Sequence, residues 1–112
     1  DELRARGERR IELVIGMYRD KDAARIVRLL LPFARRVWCT SPSGARALPA
    51  ADLERVVRHA GRAPVEVRDR IGPAIDGACA ENRGMVVVTG SLALVGEARD
   101  HLGLAPAERL WD

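Results

Sequence analysis

Lys21 is the only lysine among nineteen basic residues, and it stands between two acids in Asp20-Lys21-Asp22. A chain that otherwise uses arginine for positive charge places a compact ammonium there, which suits a point-charge contact to a carboxylate. Read locally, it is also a paired surface charge. Arg46 follows the turn residues Ser43-Gly44. A guanidinium can grip a carboxylate through two parallel hydrogen bonds, although a loop arginine needs no such task. The third candidate is Thr89-Gly90-Ser91, which closes the apolar run from Met85. A strand-to-helix junction offers free backbone N–H groups and the positive end of a helix dipole to an anion. Ser91 could add a hydrogen bond there or simply cap the helix. All three point to an anion, so the elements between them must bring them together.

Other chemistry is thinly supplied. No nucleophile, base and orienting acid can be assembled, and no Gly-x-x-x-x-Gly-Lys-Ser/Thr loop is present to cradle a nucleotide. His59 beside an apolar helix face and His101 in a last helical turn read as structural or solvent-facing. Cys39 and Cys79 lack the spacing of a metal site and read as two reduced, core-filling thiols.

The positioning elements follow from hydrophobic patterning. Ile11 to Gly16 is a β-rich run, and a polar loop to Asp22 follows. From Asp22 to Ala34 apolar residues dominate with Arg25, Arg28 and Arg35 at helical spacing, which predicts a helix with Asp22 as N-cap. Arg36 to Thr40 gives a second strand, ended by Ser41-Pro42-Ser43-Gly44. Pro49 opens a helix with Leu53, Val56, Val57 and Ala60 as its apolar face, and Gly61 stops it. Pro64 to Val67 is a shorter, more polar strand suited to an edge, and a helix over Pro73 to Ala80 leads through Asn82-Arg83-Gly84 to the last strand. Met85-Val86-Val87-Val88 is the most apolar strand and is expected to be central, covered on both faces. Leu92, Leu94, Val95, Ala98 and Leu102 mark the final helix.

Four strand–helix alternations predict a single Rossmann-like three-layer α/β domain, with a mainly parallel sheet and helices on both faces. Ligands of such sheets bind beyond the carboxyl ends of the strands, which places Asp20-Lys21-Asp22, Arg46 and Thr89-Gly90-Ser91 on one rim. With 112 residues there is room for one domain. Residues 1–10 are charged without apolar periodicity and read as the end of a linker or preceding helix, leaving 11–112 as the folded unit. At 47% hydrophobic and 31% charged the composition is that of a globular protein. No apolar run reaches the roughly 18 residues of a membrane span, and no secretory signal opens the sequence, so a cytoplasmic location without membrane association is expected. Net charge is +3 and the pI about 9.5, yet arginines alternate with acids. Only Tyr18, Phe33, Trp38 and Trp111 could stack on bases, so a salt-bridged surface without nucleic-acid binding is expected.

Two blocks, Val14-Ile15-Gly16-Met17-Tyr18-Arg19-Asp20-Lys21-Asp22 and Val87-Val88-Thr89-Gly90-Ser91-Leu92-Ala93-Leu94-Val95-Gly96-Glu97, resemble the C-terminal domain of bacterial folylpolyglutamate synthase/dihydrofolate synthase. Between them Trp38-Cys39, Pro42-Ser43-Gly44-Ala45-Arg46 and a helix opening at Pro49 come in the family's order. The resemblance runs from Ile11 to Leu102 and implies the Mur ligase superfamily, whose members use ATP to turn a carboxylate into an acyl phosphate that an amino group attacks. Here it implies glutamate as that amine and folate or dihydropteroate as the acyl component. By the resemblance Lys21 would pair with a glutamate carboxylate, Arg46 would recognise the amino acid side chain, and Ser91 would donate a hydrogen bond nearby. Asp20 and Asp22 would orient Lys21 and cap the helix, with Thr89 and Gly90 as supporting backbone. ATP and Mg²⁺ are expected to bind mainly outside this chain, on an N-terminal ATPase domain of the same polypeptide, and the isolated domain is expected to need no cofactor and to be inactive. The family's Asp-Gly-Ala-His-Asn segment, which contacts ATP, is expected just upstream of Asp1. Ala93 departs from the family, many of whose members carry an aromatic residue at that position.

Two other readings compete. A C-terminal domain of another Mur-type ligase would share the pattern with a different amino acid. A phosphoacceptor signalling domain is also parallel α/β with acids after its first strand. It would need an acid site after the third strand and a Lys after the Thr89 strand, where this chain has only Asp69 and no Lys.

Overall fold

A computed structural model describes residues 11–81 and 85–104. The readings of residues 1–10 as a linker or helix end, of Asn82-Arg83-Gly84 as a turn and of Trp111 as a stacking residue fall outside them. Four strands, β1 (Ile11–Gly16), β2 (Ala34–Cys39), β3 (Val65–Val67) and β4 (Met85–Gly90), form one parallel sheet in the order β3-β2-β1-β4. The four α-helices are α1 (Ala23–Leu30), α2 (Ala50–Ala60), α3 (Ile71–Ala80) and α4 (Leu92–His101).

Alternation along the strands divides the core into two layers. On one face Leu13, Ile15, Val37 and Cys39 meet Val27 of α1 and Leu53 and Val57 of α2. On the other, Val14 and Trp38 meet Ile71, Ala74, Ile75 and Ala78 of α3 and Leu94 and Ala98 of α4. This is the α/β arrangement with helices on both faces that the alternation predicts.

Three expectations need correcting. β4 is an edge strand, with Met85 61% exposed and Val86, Val87 and Val88 half-buried. Its apolar run arises because Val87 packs on one core layer and Val86 and Val88 on the other. Two apolar faces therefore do not require a neighbouring strand on each side. The helix expected over Asp22 to Ala34 stops at Leu30. Leu31–Phe33 forms a 3-10 turn carrying Pro32, and β2 begins at Ala34, so Arg35 belongs to a strand. Cys39 is buried, whereas Cys79 is exposed on α3 and fills no core; both thiols are free.

The sheet also buries a charge. Glu12 is 0% exposed and accepts hydrogen bonds from Trp38 Nε1 at 2.9 Å and from an Arg35 guanidinium nitrogen at 2.6 Å, with Arg36 Nε 3.8 Å away. The pairing orients the Trp38 indole beneath α3. Arg68 lies over the same ring at 5.1 Å from its centroid.

Candidate functional site

The carboxyl ends of the strands converge tightly. Gly16 ends β1, and a Cβ there would come within 2.6 Å of the Thr40 carbonyl oxygen. Gly90 ends β4 with a φ of 136°, in the region that favours glycine, and a Cβ would collide with the Gly16 carbonyl. Ser91 follows, its N–H donating to Gly16 O at 3.2 Å and its hydroxyl oxygen accepting from Leu94 N at 3.1 Å. Ser91 is therefore the N-cap of α4, and it is 4% exposed. Thr89 and Gly90 are half-buried in the strand end beside it.

The chain leaving β1 does not go straight into α1. Tyr18 forms an antiparallel bridge with Ala47. Arg19 N donates to Arg46 O at 2.9 Å and Leu48 N donates to Met17 O at 2.9 Å. Residues 17–19 and 46–48 thus make a short antiparallel ribbon in which Arg19 stands directly opposite Arg46. A cavity of about 760 Å³ beside it is lined by Tyr18, Arg19, Asp20, Gly44, Ala45 and Arg46. That size is in the range used by small-molecule ligands.

Two further contacts fix the loop carrying Arg46. Ser41 Oγ donates to Leu48 O at 2.7 Å, closing the loop on itself. Glu97 of α4 accepts from Ser43 N at 2.9 Å and from Ser43 Oγ at 3.0 Å, fastening its outer part to the helix that Ser91 caps. A second cavity of about 510 Å³ lies beyond this clasp, with Ser41, Ser43, Arg70, Glu97 and His101 among its walls. His101 pairs with Asp76 at 2.8 Å, tying α4 to α3 at an exposed position.

Of the residues singled out in the sequence, Arg46 and Asp20 line the larger cavity. Lys21 is exposed in the turn before α1, its N–H donating to Tyr18 O at 3.3 Å, and it lines neither cavity. Among the described residues neither Asp20 nor Asp22 forms an ion pair with Lys21; Asp22 caps α1 by accepting from Arg25 N at 3.1 Å. Sequence reasoning missed Tyr18 and Arg19 as cavity walls and Glu97 as the loop's anchor. The ribbon that aligns Arg19 with Arg46 joins segments far apart in sequence, and no local pattern announces it.

Two arginines, one carboxylate and one aromatic ring are among the residues lining the larger cavity, a lining whose chemistry suits an anion. The sequence has no Gly-x-x-x-x-Gly-Lys-Ser/Thr loop, and among the described residues no group of three or more His, Cys, Asp or Glu could hold a metal ion. Among them, too, no helix is long and apolar enough to cross a membrane.

No protein-family model and no curated protein matches the chain, but solved structures do. A Mycobacterium tuberculosis folylpolyglutamate synthase complexed with ADP and AMPPCP is 28% identical, with a TM-score of 0.78 over 88% of this chain and 24% of its own. The same organism's enzyme complexed with ADP gives 24% identity and a TM-score of 0.77 over 88% of this chain and 25% of its own. A bifunctional folylpolyglutamate synthase/dihydrofolate synthase from Yersinia pestis, complexed with AMPPNP and Mn ion, gives 22% and 0.72 over 85% of this chain and 22% of its own. The last two likenesses carry the fold alone. The chain spans about a quarter of the length of these enzymes, as a C-terminal domain of such a synthase would.

Proposed function

We propose that this chain is the C-terminal, glutamate-binding domain of an ATP-dependent ligase that joins L-glutamate to folate or dihydropteroate through an acyl phosphate. The observation that carries the reading is the likeness to a folylpolyglutamate synthase across nearly the whole chain at 28% identity. The Arg46 loop, held over the carboxyl rim of the sheet, supports it. Glutamate brings two carboxylates, and fixed guanidinium groups answer that charge with paired hydrogen bonds. Lys21, exposed on the same exit loop, can reach a carboxylate from solvent once a second wall closes the cleft. Ser91 caps α4 by accepting from Leu94 N, and its O–H proton remains able to donate a hydrogen bond to the substrate beside Gly90.

ATP and Mg²⁺ would bind mainly on the rest of the polypeptide in this reading. The acyl phosphate would form there, and this domain would deliver the amine to it and close the cleft against water. Cytoplasmic location follows from the same reading.

The test is ligation by the full-length polypeptide ending in this chain, supplied with ATP, Mg²⁺, labelled L-glutamate and either folate or dihydropteroate. Incorporation of glutamate is expected, and Arg46→Ala should raise the KM for glutamate roughly 10- to 100-fold, the worth of a charge-assisted hydrogen bond. Incorporation of another amino acid in preference to glutamate would transfer the domain to a different Mur-type ligase.

A further inference from the structure

The antiparallel ribbon places two like charges face to face. Arg19 and Arg46 are directly opposed across it, joined by the Arg19 N to Arg46 O hydrogen bond. Side chains at such a position lie on the same side of the ribbon, and like charges directly opposite destabilise the pair. Neither arginine forms an ion pair among the described residues. Arg35, Arg36, Arg55, Arg58 and Arg68 each have a carboxylate within reach, whereas Arg25, Arg28, Arg62 and Arg70, like the pair, have none among the described residues. Both Arg19 and Arg46 line the cavity of about 760 Å³, where among the described residues Tyr18 adds the only ring and Asp20 the only acid. The loop that carries Arg46 is fixed from outside, by the Ser43–Glu97 clasp and by Ser41 on Leu48 O. The backbone thus sets two arginines without an ion pair side by side on the ribbon that lines the cavity.

We infer that Arg19 and Arg46 act as a pair that takes a ligand bearing two anionic groups, with Arg19 as a binding residue that the sequence pattern does not reveal. An anion bridging the two side chains replaces their repulsion with two charge-assisted contacts, which a single carboxylate does less well. Two carboxylates of one molecule and two adjacent phosphates share this chemistry. The inference rests on the preceding reading only in naming glutamate as the dianion.

The experiment follows the Nε–H signals of Arg19 and Arg46 by NMR in the 112-residue chain, titrated with L-glutamate, L-glutamine and inorganic pyrophosphate. L-Glutamate should move both signals with one dissociation constant, and L-glutamine should bind about tenfold more weakly for want of one charge. Arg19→Gln and Arg46→Gln should each weaken glutamate binding by a similar factor. Both side chains are exposed, so neither variant should unfold the chain. Without ligand each variant should melt higher than the parent at low salt, and the gain should vanish at high salt as screening removes the repulsion. Movement of both signals by pyrophosphate but not by glutamate would keep the pair and overturn the glutamate reading. Movement of Arg46 alone by glutamate would keep that reading and overturn the pair, as would an absence of response to all three probes.

Discussion

A thiol reacts through its thiolate, so the two cysteines should behave very differently. Burial pushes the Cys39 thiol from its ordinary 9.0 up to about 12, the Glu54 carboxylate adds to the rise, and Arg58 offsets part of it. Cys79 stands exposed on α3. A disulfide exchange reagent at pH 8 should therefore modify Cys79 quickly and Cys39 only at the rate of unfolding; two equally fast thiols would contradict the buried position. The raised value also has a stability consequence. A group whose pKa is higher folded than unfolded contributes stability that is intact below its unfolded pKa and lost as pH rises toward the folded one. For Cys39 that window runs from pH 9 toward 12, with a slope of at most ~1.4 kcal/mol per unit. Urea midpoints of the parent and Cys39→Ala measured across it should converge as pH rises, since the variant lacks that loss. Glu12 is the other buried group to probe. Glu12→Ala would leave Trp38 Nε1 without its acceptor and Arg35 without its partner, a loss of about 3 kcal/mol and the low end of the range for a broken buried pair, because the part-exposed Arg35 can turn to water. Urea denaturation gives the value directly.

The helices show where sequence reading succeeds and where geometry overrides it. Gly77 sits inside α3, where glycine costs about 1 kcal/mol relative to alanine on propensity alone. Yet a Cβ at that position would overlap the Trp38 ring. Gly77→Ala should therefore destabilise the chain by roughly 1–3 kcal/mol, read as a lower urea midpoint, whereas propensity by itself would predict a gain. That contact joins β2 to α3, and nothing in the neighbourhood of Gly77 in the sequence points to it. The alternation of elements, their polarity and the caps at Asp22 and Ser91 were legible because each rests on a local pattern. Strand order was not. The run Met85 to Val88 reports that both faces of β4 touch apolar neighbours but is silent on how many strands flank it, so an edge strand looked central. The end of α1 was misplaced because the apolar residues continue through Leu31 and Phe33 while Pro32 breaks the backbone pattern. At the site, Arg46 and Asp20 could be placed on the rim from topology, but Arg19 could not, because its partner is set by a ribbon between segments far apart in sequence.

At the scale of the whole molecule, the two core layers on either face of the sheet should let this chain fold by itself. Leu13, Ile15, Leu53 and Val57 close one layer, and Val14, Trp38, Ile75 and Leu94 close the other. Since β1 and β2 carry residues of both, loss of either layer removes support from the other. Unfolding in urea should accordingly be cooperative, with Trp38 fluorescence and far-UV circular dichroism following one transition. Catalysis should not accompany that independence. A reaction joining two substrates depends on holding both at close approach, which contributes rate through orientation, and this chain is proposed to supply the amine side alone. The isolated chain given ATP, Mg²⁺, dihydropteroate and labelled glutamate should form no product above a blank without protein, while the full-length polypeptide does under identical conditions. A single coincident transition with no ligation is the expected pair of results. Product from the isolated chain would place the phosphate chemistry inside it, against the absence of a phosphate loop from its sequence.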